Sequence, residues 1–412
     1  MNRLSCRITS VLLLVPGLAL AGAFPDEFVL LGPEDPPGQG QSLRRAPWHR
    51  AADVAIQIAQ RIDGAAQKGD FSGVVAVARE GRPWFVRASG LADRERSIPN
   101  LATTRFNTAG LQRLFTMVAI ARLLQDGRLR LDDRLVDVLR PESSLTLDVG
   151  DVEPAAEKLS AAYPNAEVAR RITIRQLVEQ RSGLSDYLGP GFFANPRAVT
   201  TLADYLRLFT DRPLAFEPGS AERLAMANYI VLGRVIEAKT GKPYDRAIEE
   251  LVHRPAGMTS TRLEPVAARA PDRAVGYTRT RFTLEGATVN PARAPGDVLR
   301  PNEDVVPGRG SPAGGGYSNV QDLMRFADAL RHDRLLQPGW TEWILGGPEP
   351  RSASQAKLPL EHRRGLAMDG SAPGVNAVFR MEPDGTVLIA LANLDPPAAD
   401  RMALEVAELL LK

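Results

Sequence analysis

Phe71-Ser72-Gly73-Val74-Val75-Ala76-Val77-Ala78-Arg79-Glu80-Gly81-Arg82-Pro83-Trp84-Phe85-Val86 is the stretch on which the fold turns. Two apolar runs, Gly73 to Ala78 and Trp84 to Val86, flank Glu80-Gly81-Arg82 and read as the strands of a β-hairpin. Ahead of it, Ala51 to Gln67 carries Val54, Ile56, Ile58, Ala59 and Ile62 at helical spacing, the mark of an amphipathic helix. The matching pieces lie at the far end of the chain. Asn376 to Met381 and Thr386 to Ala392 are apolar strands around the turn Pro383-Asp384-Gly385, and Ala398 to Leu411 is a closing helix. Strands from the two ends must meet for the sheet to be complete, so the helical middle is an insertion in an α/β domain.

That middle is distinctive. Leu111 to Gln125 places Leu111, Leu114, Phe115, Val118, Ala119, Leu123 and Leu124 over more than half of a helix circumference, which predicts a helix buried between layers and stopped by Asp126-Gly127. The stretch from Asp148 through Lys158 is polar and reads as an insertion. Ile174 to Leu251 is helical in pattern, including Tyr229 to Ala238 and Tyr244 to Val252. The expected class is therefore α/β (α+β): an antiparallel sheet flanked by helices, with a large, mostly helical lobe over about 116–270 inside a domain spanning 51–412.

Composition narrows the function. With 412 residues, 44% apolar and 24% charged, the chain has the make-up of a soluble globular protein. A net charge of +2 without a basic block gives no electrostatic support for nucleic acid or an anionic membrane as partner. Residues 1–21 read as a signal peptide: Arg3 and Arg7 lead, Val11 to Leu20 is apolar, and Ala19-Leu20-Ala21 offers a small-x-small cleavage site. The apolar run is shorter than the roughly 20 residues of a membrane span, so a periplasmic or secreted protein without a stable anchor is expected. Residues 22–50 follow as a flexible Pro/Gly-rich lead-in. Cys6, the only cysteine, falls in the segment to be removed, which excludes disulfides and thiolate chemistry from the mature chain. The four histidines are scattered, and neither metal nor cofactor is expected.

A dozen short segments in order give the chain a resemblance. Among them are Gly90-Leu91-Ala92-Asp93-Arg94-Glu95, Asp126-Gly127-Arg128-Leu129, Arg181-Ser182-Gly183-Leu184, Phe216-Glu217-Pro218-Gly219, Ala313-Gly314-Gly315-Gly316-Tyr317-Ser318 and Leu391-Ala392-Asn393-Leu394-Asp395-Pro396-Pro397. Together they resemble the serine β-lactamase and penicillin-binding-protein superfamily, the group of class C β-lactamases, D-alanyl-D-alanine carboxypeptidases and related esterases. The resemblance implies a β-lactamase/transpeptidase-like fold. It also implies a chemistry: a serine nucleophile, a lysine one helical turn later, a tyrosine in a Tyr-x-Asn motif, and a His or Lys on a strand beside the pocket.

Each of these positions is replaced. Anchored on Phe115-Thr116, the serine position is Gly110 and the lysine position Arg113. Glycine has nothing to attack with, and arginine stays protonated and cannot serve as a base near neutrality. Anchored on Pro218-Gly219, the Tyr-Ser-Asn motif becomes Leu224-Ala225-Met226. Ahead of Gly370-Ser371-Ala372-Pro373-Gly374 the histidine position is Met368, with His362 as a conceivable substitute. No catalytic group is expected intact, and the reading is a pseudoenzyme that binds a small molecule, a peptide, a cell-wall fragment or a protein partner in the former active-site cleft.

The alternative is an active serine hydrolase using displaced groups, with Ser354, Ser318 or Ser182 as candidates. Ser354-Gln355-Ala356-Lys357 satisfies Ser-x-x-Lys, but in a polar stretch off the buried helix. Tyr317-Ser318-Asn319 is expected to cap the helix carrying Phe326, and Ser182 to lie in a structural turn. Arg113 has two readings: an ion pair or a stacked guanidinium, the commoner role, or a fixed charge at the cleft floor that binds a carboxylate bidentately.

Overall fold

The computed structural model describes residues 48–139, 166–285, 288–293, 295–350 and 362–411. The leader, nearly all of the lead-in, the polar stretch 148–158 and Ser354 fall outside them. The first helix, α1, runs Trp48–Lys68 and leads into β1 (Gly73–Arg79) and β2 (Arg82–Ser89). Glu80 and Gly81 both take positive φ, 52° and 73°, as a tight hairpin turn between right-twisted strands requires.

The distant strands do meet. With α2 at Gln112–Gln125, α3 at Met226–Thr240, α4 at Val320–Arg331 and α5 at Ala398–Leu411, the remaining strands of the main sheet are β3 (Leu366–Ala372), β4 (Val375–Met381) and β5 (Val387–Ala392). The order is β3-β4-β5-β1-β2, every pairing antiparallel. Gly73 faces Ala392 and Ala78 faces Val387, so the amino- and carboxy-terminal thirds close one sheet at its centre.

Alternation along these strands divides the core. Val75, Val77, Leu388 and Ala390 pack with Ile58 and Ile62 of α1 and Met402 and Val406 of α5. Val74, Ala76, Ile389 and Phe379 face the other way, toward α2 and α4. There Phe115 stands edge-on to Phe326 at 5.0 Å, and Phe326 to Phe379 at 6.0 Å. All of α2 except Arg122 and Gln125 is buried, as its apolar circumference predicts.

One expectation needs correction. The stretch Ile174 to Leu251 is not continuously helical: short helices at Ile174–Val178, Pro190–Ala194 and Leu202–Arg207 precede α3. Gly189-Pro190, Pro213 and Pro218-Gly219 break the pattern, because each removes a donor or admits a turn. Sequence periodicity also gives no sign of β3. It is an edge strand of small and polar residues, Met368-Asp369-Gly370-Ser371, which the pairing with β4 holds extended.

Candidate active site

The site forms where the entry to α2 meets the sheet edge. A 3-10 turn, Ala109–Leu111, precedes α2. Ala109 takes φ 41°, in the left-handed region that costs a non-glycine residue about 1 kcal/mol or more. A surrounding net maintains this strain. Ala109 N–H donates to Asn107 Oδ1 at 2.9 Å, its carbonyl accepts from Gly315 N–H at 3.1 Å, and Thr108 Oγ1 donates to the Gly316 carbonyl at 2.9 Å. The loop Gly314–Gly316 thus clamps a turn whose effect is to present residue 110.

Gly370 brings the edge strand against this turn. A Cβ there would lie 2.5 Å from the Thr108 carbonyl oxygen and 2.7 Å from Gly110 N, both backbone atoms that cannot yield. Met368, one alternation earlier on the same face, is buried in the core and offers no polar group. His362 lies on the surface ahead of β3.

Arg113 fills the space beside Gly110. A Cβ added at Gly110 would fall 2.5 Å from Arg113 Nη2 and 3.0 Å from Cζ. The guanidinium folds back so that Nε donates to the Gly110 carbonyl at 2.9 Å and Nη2 to the Asp369 carbonyl of β3 at 3.2 Å. Its Cζ stands 5.8 Å from the centre of the Tyr229 ring, a residue of α3. Arg113 is 4% exposed and forms no ion pair among the described residues. Of the two contacts that the commoner, structural role allows, the stacked guanidinium is present and an ion pair among the described residues is not. Side-on bidentate capture is closed because the Gly110 carbonyl already takes Nε.

The wall contributed by α3 is apolar. Met226 opens that helix, with Tyr229 one turn further on the same side. Leu224 and Met226 are half-buried against the core. Met226 N–H donates to Asp186 Oδ2 at 2.8 Å, and burial pushes that carboxyl above its ordinary range. Burial likewise drives the neighbouring Tyr187 phenol well up, against the small opposing pull of the Arg113 charge, so it stays a neutral hydroxyl. The structure therefore brings together Gly110, Arg113, the β3 backbone at Asp369 and Gly370, and Tyr229 of α3. Sequence reasoning missed Tyr229 and the Asp369 carbonyl: the first was one helical turn from a named position, the second has no side-chain signature.

The displaced-serine candidates lie elsewhere. Ser182 is buried, donates to Asn228 Oδ1 at 2.5 Å and accepts from Leu184 N–H, a turn-stabilising role. Ser318 is buried against Thr261 Oγ1 at 2.8 Å, while the Asn319 side chain caps α4 by accepting from Asp322 N–H at 2.9 Å. Neither hydroxyl has a lysine or histidine among its hydrogen-bond partners. No cluster of three or more His, Cys, Asp or Glu among the described residues is placed to hold a metal, and no helix of the described residues is long and apolar enough to cross a membrane.

Comparison with known proteins fixes the lineage. A family described as Beta-lactamase matches residues 58–411. The chain belongs to the Beta-lactamase family. Within it, Esterase EstB of Burkholderia gladioli is 30% identical over 300 residues, covering 68% of this chain and 71% of that protein. The penicillin binding protein from Bacillus halodurans superposes with a TM-score of 0.63 at 24% identity, over 84% of this chain and 98% of that one. EstCE1, titled a hydrolase with promiscuous acyltransferase activity, gives 0.61 at 21% identity, over 88% and 99%. These superpositions establish the mixed sheet-and-helix fold of the family for this chain.

Proposed function

We propose that this chain is a member of the Beta-lactamase family that does not perform its acyl transfer and uses the fold to bind a ligand or partner at the former cleft. One observation carries the reading. The guanidinium of Arg113 fills the space a side chain at residue 110 would occupy, and motif register puts the attacking serine's position at that glycine. Covalent catalysis needs a nucleophile within hydrogen-bond reach of a base. Residues 110 and 113 themselves supply neither a hydroxyl nor a group able to take a proton, since a guanidinium remains charged throughout the working pH range.

The apolar wall supports the same reading. Motif register puts Leu224 and Met226 at the proton-relay and amide positions; both are apolar and half-buried, and Met368 is sealed in the core. The scaffold around them persists, including the strained Ala109 turn and the Gly370 contact. A fold retained with its chemistry removed is suited to recognition. The relative named Esterase EstB suggests esters as one ligand class, and the superfamily resemblance read from the sequence adds peptides and cell-wall fragments. Export to the periplasm or the medium, read from residues 1–21, is part of the proposal.

Treatment of the purified protein with a fluorophosphonate and with a labelled penicillin, followed by intact mass measurement, decides the matter. No covalent adduct is expected under conditions that label an active relative fully. A stoichiometric adduct would overturn the reading, and peptide mapping would then name the serine.

A further inference from the structure

Arg113 presents an electrostatic imbalance. Taking a charge out of water is costly unless an opposite charge or a complete set of hydrogen bonds compensates it. This guanidinium is 4% exposed, its only hydrogen-bond partners are two neutral carbonyls, and no carboxylate among the described residues pairs with it. Its Nη1 makes no hydrogen bond to those residues, yet it is not among the atoms sealed from solvent. The surroundings add to the imbalance. Arg113 lies in the first turn of the fourteen-residue helix α2, where the backbone dipole is already positive and no acidic side chain is present. The Asp369 side chain does not compensate: it alternates to the other side of β3, toward Asp400. Asp186 is committed to the start of α3.

We propose that Arg113 is the anchor of a carboxylate-binding site, in which one carboxylate meets the guanidinium end-on at Nη1 while an apolar body lies along Met226 and Leu224. The proposal rests on the non-catalytic reading and names its ligand class. A carboxylate satisfies both the buried cation and the helix end. The half-buried side chains of Leu224 and Met226, with the Tyr229 ring one turn further along α3, offer an aryl or alkyl group an apolar surface. Doubly charged or sugar-like anions are therefore disfavoured relative to a monocarboxylate with an apolar tail.

Titration calorimetry of the full chain with phenylacetate and its neutral analogue phenylacetamide tests this. Phenylacetate is expected to bind with 1:1 stoichiometry and at least about tenfold more tightly, the preference one charge-assisted contact supplies. Arg113→Gln should erase the preference, and Arg113→Lys should retain part of it. Without ligand, Arg113→Gln should melt at a higher temperature than the parent, because it removes an uncompensated cation; a purely structural arginine would give the opposite shift. Equal affinity for the two probes, no binding of either at millimolar concentration, or a preference that survives Arg113→Gln overturns the proposal. These results are separable from the covalent-labelling test. A serine adduct refutes the non-catalytic reading whatever phenylacetate does, whereas absence of both adduct and carboxylate preference refutes only the anchor.

Discussion

Arg105 and Arg113 lie on either side of the same strained turn, are almost equally buried at 5% and 4% exposure, and are held in opposite ways. Arg105 grips Asp272 with Nε and Nη2 at 2.8 and 2.9 Å and Glu264 with Nη1 at 2.8 Å. Burial alone would lower its affinity for the proton, but these two carboxylates outweigh burial and raise it, while Arg105 holds the Asp272 carboxyl below its usual range. Arg113 has carbonyls in place of carboxylates. Arg105 is a closed structural joint between the chain leading into the Ala109 turn and the 264–272 segment. Arg113 carries its charge into a site. The lesson is that burial alone does not mark a structural arginine; the identity of its partners does.

The largest expected effect comes from breaking the closed member. Arg105→Met leaves two carboxylates facing a buried apolar side chain. Removal of one partner from a buried pair costs 3–5 kcal/mol, and Asp272, 58% exposed, can regain water, so about 3 kcal/mol is the expected loss. Urea unfolding with an unchanged slope would measure it. A loss below about 1 kcal/mol would place Arg105 in the same category as Arg113 and dissolve the contrast.

His253 shows a third way to bury a basic group, which is to give up the charge. It stands edge-on to Phe115 at 5.1 Å, and its Nε2 has no hydrogen-bond partner among the described residues. Burial lowers its pKa to about 4, against a partial pull upward from Asp322 and Glu249. The folded state therefore refuses a proton that the unfolded chain accepts below about pH 6.5, so stability falls as pH drops from 6.5 toward 4 and is unaffected above that window. The loss approaches about 3 kcal/mol at the acid end and about 2 kcal/mol near pH 5. Asp400 works in the other direction: burial, with Asp369 nearby, raises its carboxyl to about 6, so protonation favours the fold over much of the same window. The measurement is thus the difference between parent and His253→Leu across pH 4–7. A constant difference would mean that His253 is charged or solvated in the fold.

How much of this was legible beforehand follows the range of the interactions. The closing helix was readable to the residue at Ala398–Leu411, and the strands around Glu80-Gly81 and Asp384-Gly385 to within a few, because local periodicity and turn chemistry encode them. Edge strand Leu366–Ala372 was not readable as such, since residues as small and polar as Asp369-Gly370-Ser371 become a strand only when Val375–Met381 pairs with them. The site divides similarly. Gly110 and Arg113 could be named from motif register. That the guanidinium reaches the Asp369 carbonyl, a contact across 256 positions of sequence, depends on the assembled sheet. Ser182 and Ser318 lie in motifs of the same kind, and their long-range hydrogen-bond partners, Asn228 and Thr261, likewise become visible only in the assembled fold.

The smallest effect is also the most specific to the site. If the guanidinium fills the nucleophile position, restoring a side chain at residue 110 must expel it. Gly110 has no positive φ, so serine there meets no backbone strain of its own; its Cβ meets Nη2 at 2.5 Å and Nε at 3.1 Å, the far end of a flexible side chain. Gly110→Ser should therefore cost the two carbonyl hydrogen bonds, about 1 kcal/mol net of the better helical preference of serine. In an Arg113→Ala background those two bonds are already absent and the clash is gone. The double mutant should consequently be more stable than the sum of the single changes by about 1 kcal/mol, the size of coupling that contacting residues show. Strict additivity in a double-mutant cycle would mean that Arg113 does not occupy the space of residue 110, and with that the distinction between the closed and the site-facing arginine would lose its structural basis.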